Sequence, residues 1–374
     1  MNDTSPTASP LADRSQAAPS HQLPPTAAAG SAAGASHPTP DRIMEVAFAF
    51  WSSKVLLTAV DLGVFTALGE RSMTGAELGK TLGLHPRAIH DFLDALVAMR
   101  FLQRDGDGAA GRYSNCADTG LFLDRRQSTY LGGALEMFNA RLYGFWNDLG
   151  TALKTGQPQN EIKQGRENMY ETLYSQPARL EQFLSAMSGL SRPHFEMLAE
   201  KYDFSRYQSV CDAGGASGLL STVLARRHPH LRCVSFDLPA VEPIAQRCIA
   251  QAGLSDRVST AAGSFLTHPL PRADVITMGT ILHNWDLKTK QHLVRLAYQA
   301  LPAGGAFIAL ENLIDDERRT NTFGLLMSLN MLIEFPGAFD FSGAQFWGWC
   351  REAGFKRYEV LPLTATCSAA IAYK

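Results

Sequence analysis

A chain of 374 residues, 45% of them apolar and 19% charged, is long enough for two domains with sizeable cores, and its net charge of −2 gives no footing for a nucleic-acid or anionic-membrane partner. No apolar run approaches the roughly 20 residues needed to span a bilayer, and no secretory leader follows Met1-Asn2-Asp3, so a cytoplasmic chain is expected. Six scattered cysteines without C-x-x-C spacing, and ten histidines that do not cluster with them, argue for free thiols and against a metal site.

Residues 1–40, rich in Ala, Pro, Ser and Thr, hold too few large apolar side chains to offset ordering entropy and read as a disordered tail. From Asp41 the pattern changes. Ile43, Val46, Ala47, Phe50, Trp51, Val55, Leu56 and Ala59 recur at helical spacing, and the helix closes near Leu62-Gly63. Thr74 caps a helix over Ala76–Leu82, with Glu77 as its capping-box partner. Pro86 opens the next, His85–Met99, which carries Ile89, Phe92, Leu93 and Leu96 on one face. Phe101–Arg104, a glycine-rich turn at 106–111 and Arg112–Ser114 read as a hairpin, so residues 41–125 resemble a winged helix. Such units often bind DNA, but the candidate recognition helix offers Arg87, His90 and Arg100 alongside Asp91 and Asp94. The surplus of Phe48, Phe50 and Trp51 points instead to a protein–protein contact and a homodimer.

Residues 126–205 read as a helical linker, with helices over Tyr130–Leu153 and Pro177–Lys201 and a polar loop, Thr155–Gly165, between them. Phe138, Tyr143, Phe145, Trp146, Tyr170 and Tyr174 supply core and pocket lining. In residues 206–374 the texture becomes α/β. Strands over Ser209–Asp212, Cys233–Asp237, Ala273–Met278 and Ala306–Glu311 alternate with helices over Leu219–Arg227 and Lys288–Ala300. That alternation implies a mostly parallel sheet covered on both faces. Tyr358–Leu363 and Thr366–Tyr373 suggest a closing hairpin.

Val210-Cys211-Asp212-Ala213-Gly214-Gly215-Ala216-Ser217-Gly218 runs from an apolar strand through a glycine turn into a helix, whose N-terminus offers free N–H groups. Asp237 ends the next strand, 25 residues after Asp212, where a carboxylate accepts from both hydroxyls of a ribose. The pair says adenosine cofactor and leaves NAD and S-adenosylmethionine both open. Gly263-Ser264-Phe265-Leu266 follows a third strand and flanks an adenine. Ile281-Leu282-His283-Asn284-Trp285-Asp286 follows the fourth, and a neutral imidazole at the carboxyl end of a strand is placed to take a proton from a hydroxyl. Glu311, ending the fifth strand, is the first candidate to orient that imidazole, and Asp340 the second.

Taken in order, DAGGASG, Asp237, GSFL, LHNW and the ALEN strand end resemble the S-adenosylmethionine-dependent small-molecule O-methyltransferases of plant caffeate, acetylserotonin and bacterial antibiotic metabolism, over Asp41–Lys374. The resemblance implies a Rossmann-like class I methyltransferase domain with a seven-stranded sheet behind a helical winged-helix dimerisation domain. It implies S-adenosylmethionine, released as S-adenosylhomocysteine, on Asp212, Gly214, Gly215, Gly218, Asp237, Leu238, Ser264, Phe265 and Ser191. His283 matches the general base, and Glu311 and Asp340 its carboxylate partners. Met137, Met187, Met331 and Phe335 match acceptor-pocket positions.

Two departures stand out. Ser264 replaces the family's usual Asp, and Asp340 its usual Glu, one methylene shorter. The Glu334–Phe339 loop is apolar enough to suit an aromatic or heteroaromatic acceptor. The expected activity is therefore O-methylation in secondary metabolism. The alternatives are N-, C- or S-methylation on the same fold, or a non-catalytic regulator that binds S-adenosylmethionine or another small molecule. An NAD-dependent dehydrogenase would require a substrate domain and a hydride site that the sequence does not offer.

Overall fold

The structure is a computed structural model and describes residues 38–164 and 176–374. Most of the N-terminal tail, and Gly165, Tyr170 and Tyr174, lie outside the described residues. The chain divides into two compact units, residues 1–47 and 48–374.

The first helix, Asp41–Asp61, corrects one expectation. By length and composition alone, with a mean hydropathy of 1.5, it is long and apolar enough to cross a membrane. The periodic reading stressed its apolar face and passed over how few charges interrupt it.

A local core then forms around Phe65, Leu68, Leu78, Leu93, Leu96, Leu102 and Tyr113. Helix Gly75–Leu82 starts on the expected capping box. Glu77 N donates to Thr74 Oγ1 (3.3 Å), Thr74 N donates to Glu77 Oε2 (2.8 Å), and Gly83 ends the helix at φ 67°. Helix Pro86–Ala98 follows. Strands β1 (Met73–Thr74), β2 (Leu102–Asp105) and β3 (Arg112–Asn115) form an antiparallel sheet in the order β1-β3-β2.

The single helix expected over Tyr130–Leu153 is instead a chain of short pieces. An α-helix Gly132–Met137 passes into a π-turn at Phe138–Leu142, and two further short turns lead to helix Leu149–Thr155. A run of five residues here carries a widened turn, which a periodicity argument does not reveal. The polar loop after it starts exposed at Thr155–Gln157 and then turns inward, with Pro158, Gln159 and Asn160 buried. Gln159 N donates to the Ile333 carbonyl (2.9 Å) and Asn160 Nδ2 to that of Glu334 (2.8 Å).

The large sheet comprises β4 (Ser209–Ala213), β5 (Arg232–Asp237), β6 (Val258–Ala262), β7 (Val275–Gly279), β8 (Ala306–Glu311), β9 (Arg357–Pro362) and β10 (Ser368–Tyr373). Its order is β6-β5-β4-β7-β8-β10-β9. The first five are mutually parallel, and β10 runs antiparallel to both β8 and β9. Seven strands, mostly parallel, make the Rossmann-like methyltransferase sheet that was expected. β4, β7 and β8 are buried along almost their whole length because both faces are covered. Val210, Leu220, Leu224, Val275 and Ile308 belong to one core cluster, and Cys211, Ile276, Leu293, Val294 and Phe307 to another. All six cysteines are free, and Cys211, Cys233, Cys350 and Cys367 are buried.

Candidate active site

The chain leaves β4 toward β5 and β6 on one side and returns to β7 on the other, so a crevice opens at the carboxyl ends of β4 and β7. The glycine turn fills one lip. Gly214 N and Gly215 N both donate to the Phe236 carbonyl (2.8 and 3.2 Å), which draws the turn over the end of β5. Gly214 takes φ 78°, and a Cβ there would lie 2.8 Å from Ile281 Cγ1. A Cβ on Gly215 would run into Ser235 Oγ and come within 3.0 Å of the Asp212 carbonyl. These contacts leave no room for a side chain at either position.

Asp237 caps the turn from below. Its Oδ2 accepts from Ala216 N (2.8 Å) and its Oδ1 from Leu238 N (2.7 Å). Burial raises its pKa, against the opposing pull of those two N–H groups. Asp212 points inward from β4. Burial lifts its carboxyl to about 7, although Thr277 donates to it from β7 at 2.8 Å. Phe265 packs edge-on against Trp285, with centroids 6.0 Å apart. The Ser264 hydroxyl accepts from Leu266 N (3.3 Å) and so serves its own turn.

The other lip is the turn after β7. Thr280 sits at φ 52°, a strained conformation for a β-branched residue, and is tied by its N–H to the Leu310 carbonyl (2.9 Å). A short turn, Leu282–Asn284, carries His283, which is only 7% exposed. Asp286 then caps helix Leu287–Ala300 by accepting from Thr289 N (2.8 Å). Glu311, at the end of β8, accepts from Leu282 N through Oε1 (2.8 Å) and places Oε2 3.9 Å from His283 Nδ1. Asp340 comes closer still, with Oδ1 3.4 Å from the same nitrogen.

The Asp340 segment is held from both sides. Asp340 N donates to Ser328 Oγ (3.1 Å), Ile314 N donates to the Phe341 carbonyl (3.0 Å), and Ser342 opens the next helix with a capping box to Gln345. These anchors deliver the shorter carboxylate to the imidazole. Burial alone would depress the His283 pKa, but the charges of Glu311 and Asp340 outweigh it and hold the imidazole above its ordinary value. Burial raises Glu311 to about 7.

The remaining expected residues spread around this crevice. Met187 and Ser191 lie half-buried on helix Pro177–Lys201, and Met137 ends the helix that packs against it. Helix Thr322–Glu334 packs against the His283 turn; it carries buried Met331 and ends at half-buried Phe335. Phe339, in the apolar loop before Asp340, lies under the ammonium of Lys290.

Three residues escaped the sequence reading. Ser188 and Ser217 bring their hydroxyls within 2.7 Å and join the pocket helix to the glycine turn. Lys290 is wholly buried. Its signal was present, because it occupies the inward stripe of its helix with Leu293, Val294 and Ala297.

The comparisons agree with this architecture. Residues 146–356 match the O-methyltransferase domain, and residues 44–125 match the O-methyltransferase dimerisation domain. The tetracenomycin polyketide synthesis 8-O-methyl transferase TcmO of Streptomyces glaucescens is 37% identical over 90% of this chain and 97% of its own length. The N,N-dimethyltransferase OxyT of Streptomyces rimosus is 35% identical over 84% of this chain and 90% of its own. The crystal structure of human N-acetylserotonin methyltransferase with S-adenosylmethionine matches with a TM-score of 0.82 at 25% identity, over 91% of this chain and 99% of that one. With both domain models matched in order and the crevice built as described, this chain belongs to the O-methyltransferase family and is an S-adenosylmethionine-dependent methyltransferase with an N-terminal dimerisation domain.

Proposed function

We propose that this methyltransferase methylates a hydroxyl on a small aromatic or heteroaromatic metabolite of secondary metabolism, with His283 as the general base. The observation that carries the reading is the buried imidazole whose Nδ1 faces two carboxylates, which leaves Nε2 for the acceptor. With Nδ1 protonated and directed at Asp340, Nε2 holds a lone pair for the hydroxyl proton. The imidazolium that forms is stabilised by Asp340 and Glu311.

The cofactor fits the chain's own residues. Gly214 and Gly215 carry no side chain to stand between the backbone of the turn and a ligand, and Asp237 stands at the foot of the turn. Asp212, Gly218, Leu238, Ser264, Phe265 and Ser191 complete the proposed cofactor site. Bound S-adenosylmethionine supplies a sulfonium methyl as the electrophile. The protein's part is to position the acceptor and remove its proton. Met137, Met187, Met331 and Phe335 give the acceptor soft apolar walls, which suit a planar ring.

The exposed apolar face of the first helix, with Phe48, Phe50 and Trp51 more than 40% exposed, supports a homodimer formed through the N-terminal domain rather than a membrane span. Arg87 is paired with Asp91, and Asp94 with Arg104, which supports a protein-binding rather than a DNA-binding use of this unit. A cytoplasmic location fits the free thiols.

Kinship to an N,N-dimethyltransferase favours an amine acceptor as the second reading. His283→Ala separates the two. Hydroxyl transfer should fall on the order of 10²–10⁴-fold with cofactor affinity retained. Undiminished turnover would reject the base role and favour a nucleophile that needs no deprotonation.

A further inference from the structure

Lysine is almost never fully buried without a partner. Lys290 is 0% exposed, yet among the described residues no carboxylate forms an ion pair with it. Its ammonium donates instead to the Trp285 carbonyl and lies 3.5 Å from the centre of the Phe339 ring and 6.0 Å from that of Phe341. These contacts are not scattered. Trp285 follows His283 by two residues, and Phe339 and Phe341 flank Asp340. One cation thus bridges the segment that carries the imidazole and the segment that carries its nearest carboxylate.

We propose that Lys290 is the positioning residue of the base: it clamps the Trp285 carbonyl to the Phe339 ring, fixes Asp340 against His283, and sets the charge balance of the buried cluster. The inference rests on reading His283 as the base. The charged groups that act on Lys290 are Glu311, Asp340 and Asp286, and the imidazole feels Lys290 in return. With Lys290 charged, both carboxylates ionised and His283 neutral, the buried set of Lys290, His283, Glu311 and Asp340 carries one net negative charge. Proton uptake brings it to zero. Without the lysine the same step would run from −2 to −1, so the cluster would take up its proton at higher pH, whichever member holds it. Burial lowers Lys290 to about 8 against the pull of the three acids, so it remains a cation at neutral pH.

A packing role predicts something different. A lysine that only fills space would change stability when replaced by methionine, and would leave the titration of the imidazole where it was.

The test compares the parent protein with Lys290→Met and Lys290→Arg. Methyl transfer is measured against pH at saturating cofactor and acceptor, and the His283 imidazole is followed by NMR. In Lys290→Met the acidic limb of turnover and the imidazole titration should both move up by roughly 0.5–1 pH unit, with turnover reduced several-fold. Lys290→Arg should keep the parental limb. A folded Lys290→Met variant with both titrations unmoved would overturn the proposal. Should that variant not fold, Lys290→Gln takes its place, and an unmoved imidazole titration in it would overturn the proposal equally. Failure of the base reading is a separate outcome. It shows as undiminished turnover in His283→Ala, whereas the imidazole titration reports the coupling without reference to turnover.

Discussion

Asp340 Oδ1 lies 3.4 Å from His283 Nδ1, nearer than Glu311 Oε2 at 3.9 Å, although Asp340 carries the shorter side chain. The backbone makes up the missing methylene: the bonds to Ser328 and between Ile314 and Phe341 carry the strand-like segment inward. Asp340→Asn therefore has a signed consequence. A base works when neutral, so turnover rises as pH climbs through the imidazole pKa. The adjacent carboxylates raise that pKa. Removing one charge should move the acidic limb to lower pH and cut the plateau by about tenfold or more, because the remaining base is weaker and its tautomer less firmly held. A pH–rate profile reads both effects.

Glu311→Gln should trade activity for stability. Burial holds the Glu311 carboxyl at about 7, well above an unfolded glutamate. Between the unfolded pKa and 7 the native state binds more protons than the unfolded state. Stability is thus fully present at low pH and is lost as pH rises through 7. The glutamine variant escapes that loss. Its melting temperature should exceed the parent's by about 2–4 °C at pH 8 and match it near pH 4, while turnover drops. Scanning calorimetry at the two pH values checks this.

Gly215→Ala places a methyl group 3.0 Å from the Asp212 carbonyl and against Ser235 Oγ. The turn has to shift, at a cost of about 1–3 kcal/mol of overpacking. Affinity for S-adenosylhomocysteine should fall about tenfold or more by calorimetric titration. The circular dichroism spectrum should stay unchanged, because the sheet beneath is not touched.

Trp51 is 56% exposed, and its ring stacks on Phe48 at 4.5 Å between centroids. Trp51→Asp puts a charge into that apolar face. Sedimentation should shift from a dimer toward the 40.8 kDa single chain, with the fold of the monomer intact.

Much of the site was legible because its signals are local. The glycine turn, Asp237 and His283 each follow a strand, and in a parallel sheet the carboxyl ends of strands converge. The capping box at Thr74 and Glu77 is a pattern of adjacent residues in the same sense. What the sequence left open depends on how distant segments approach each other. Whether Asp340 reaches His283 depends on anchors at Ser328 and Ile314. The meeting of Lys290 with Phe339 depends on how helix Leu287–Ala300 lies against the loop, which no local pattern encodes. The π-turn at Phe138–Leu142 was hidden because an extra residue per turn does not disturb the apolar character of the segment.

The position of β10 carries a consequence for biogenesis. This strand is the last in chain order, yet it sits inside the sheet, bonded to β8 on one side and β9 on the other. A nascent chain stalled before Ser368 would present the bare edge of β8 and leave β9 without a neighbour, two sticky edges of the kind that seed aggregation. Ribosomal arrest or a late frameshift should therefore yield insoluble product rather than a weakened enzyme, even though every residue of the proposed catalytic cluster has already been made.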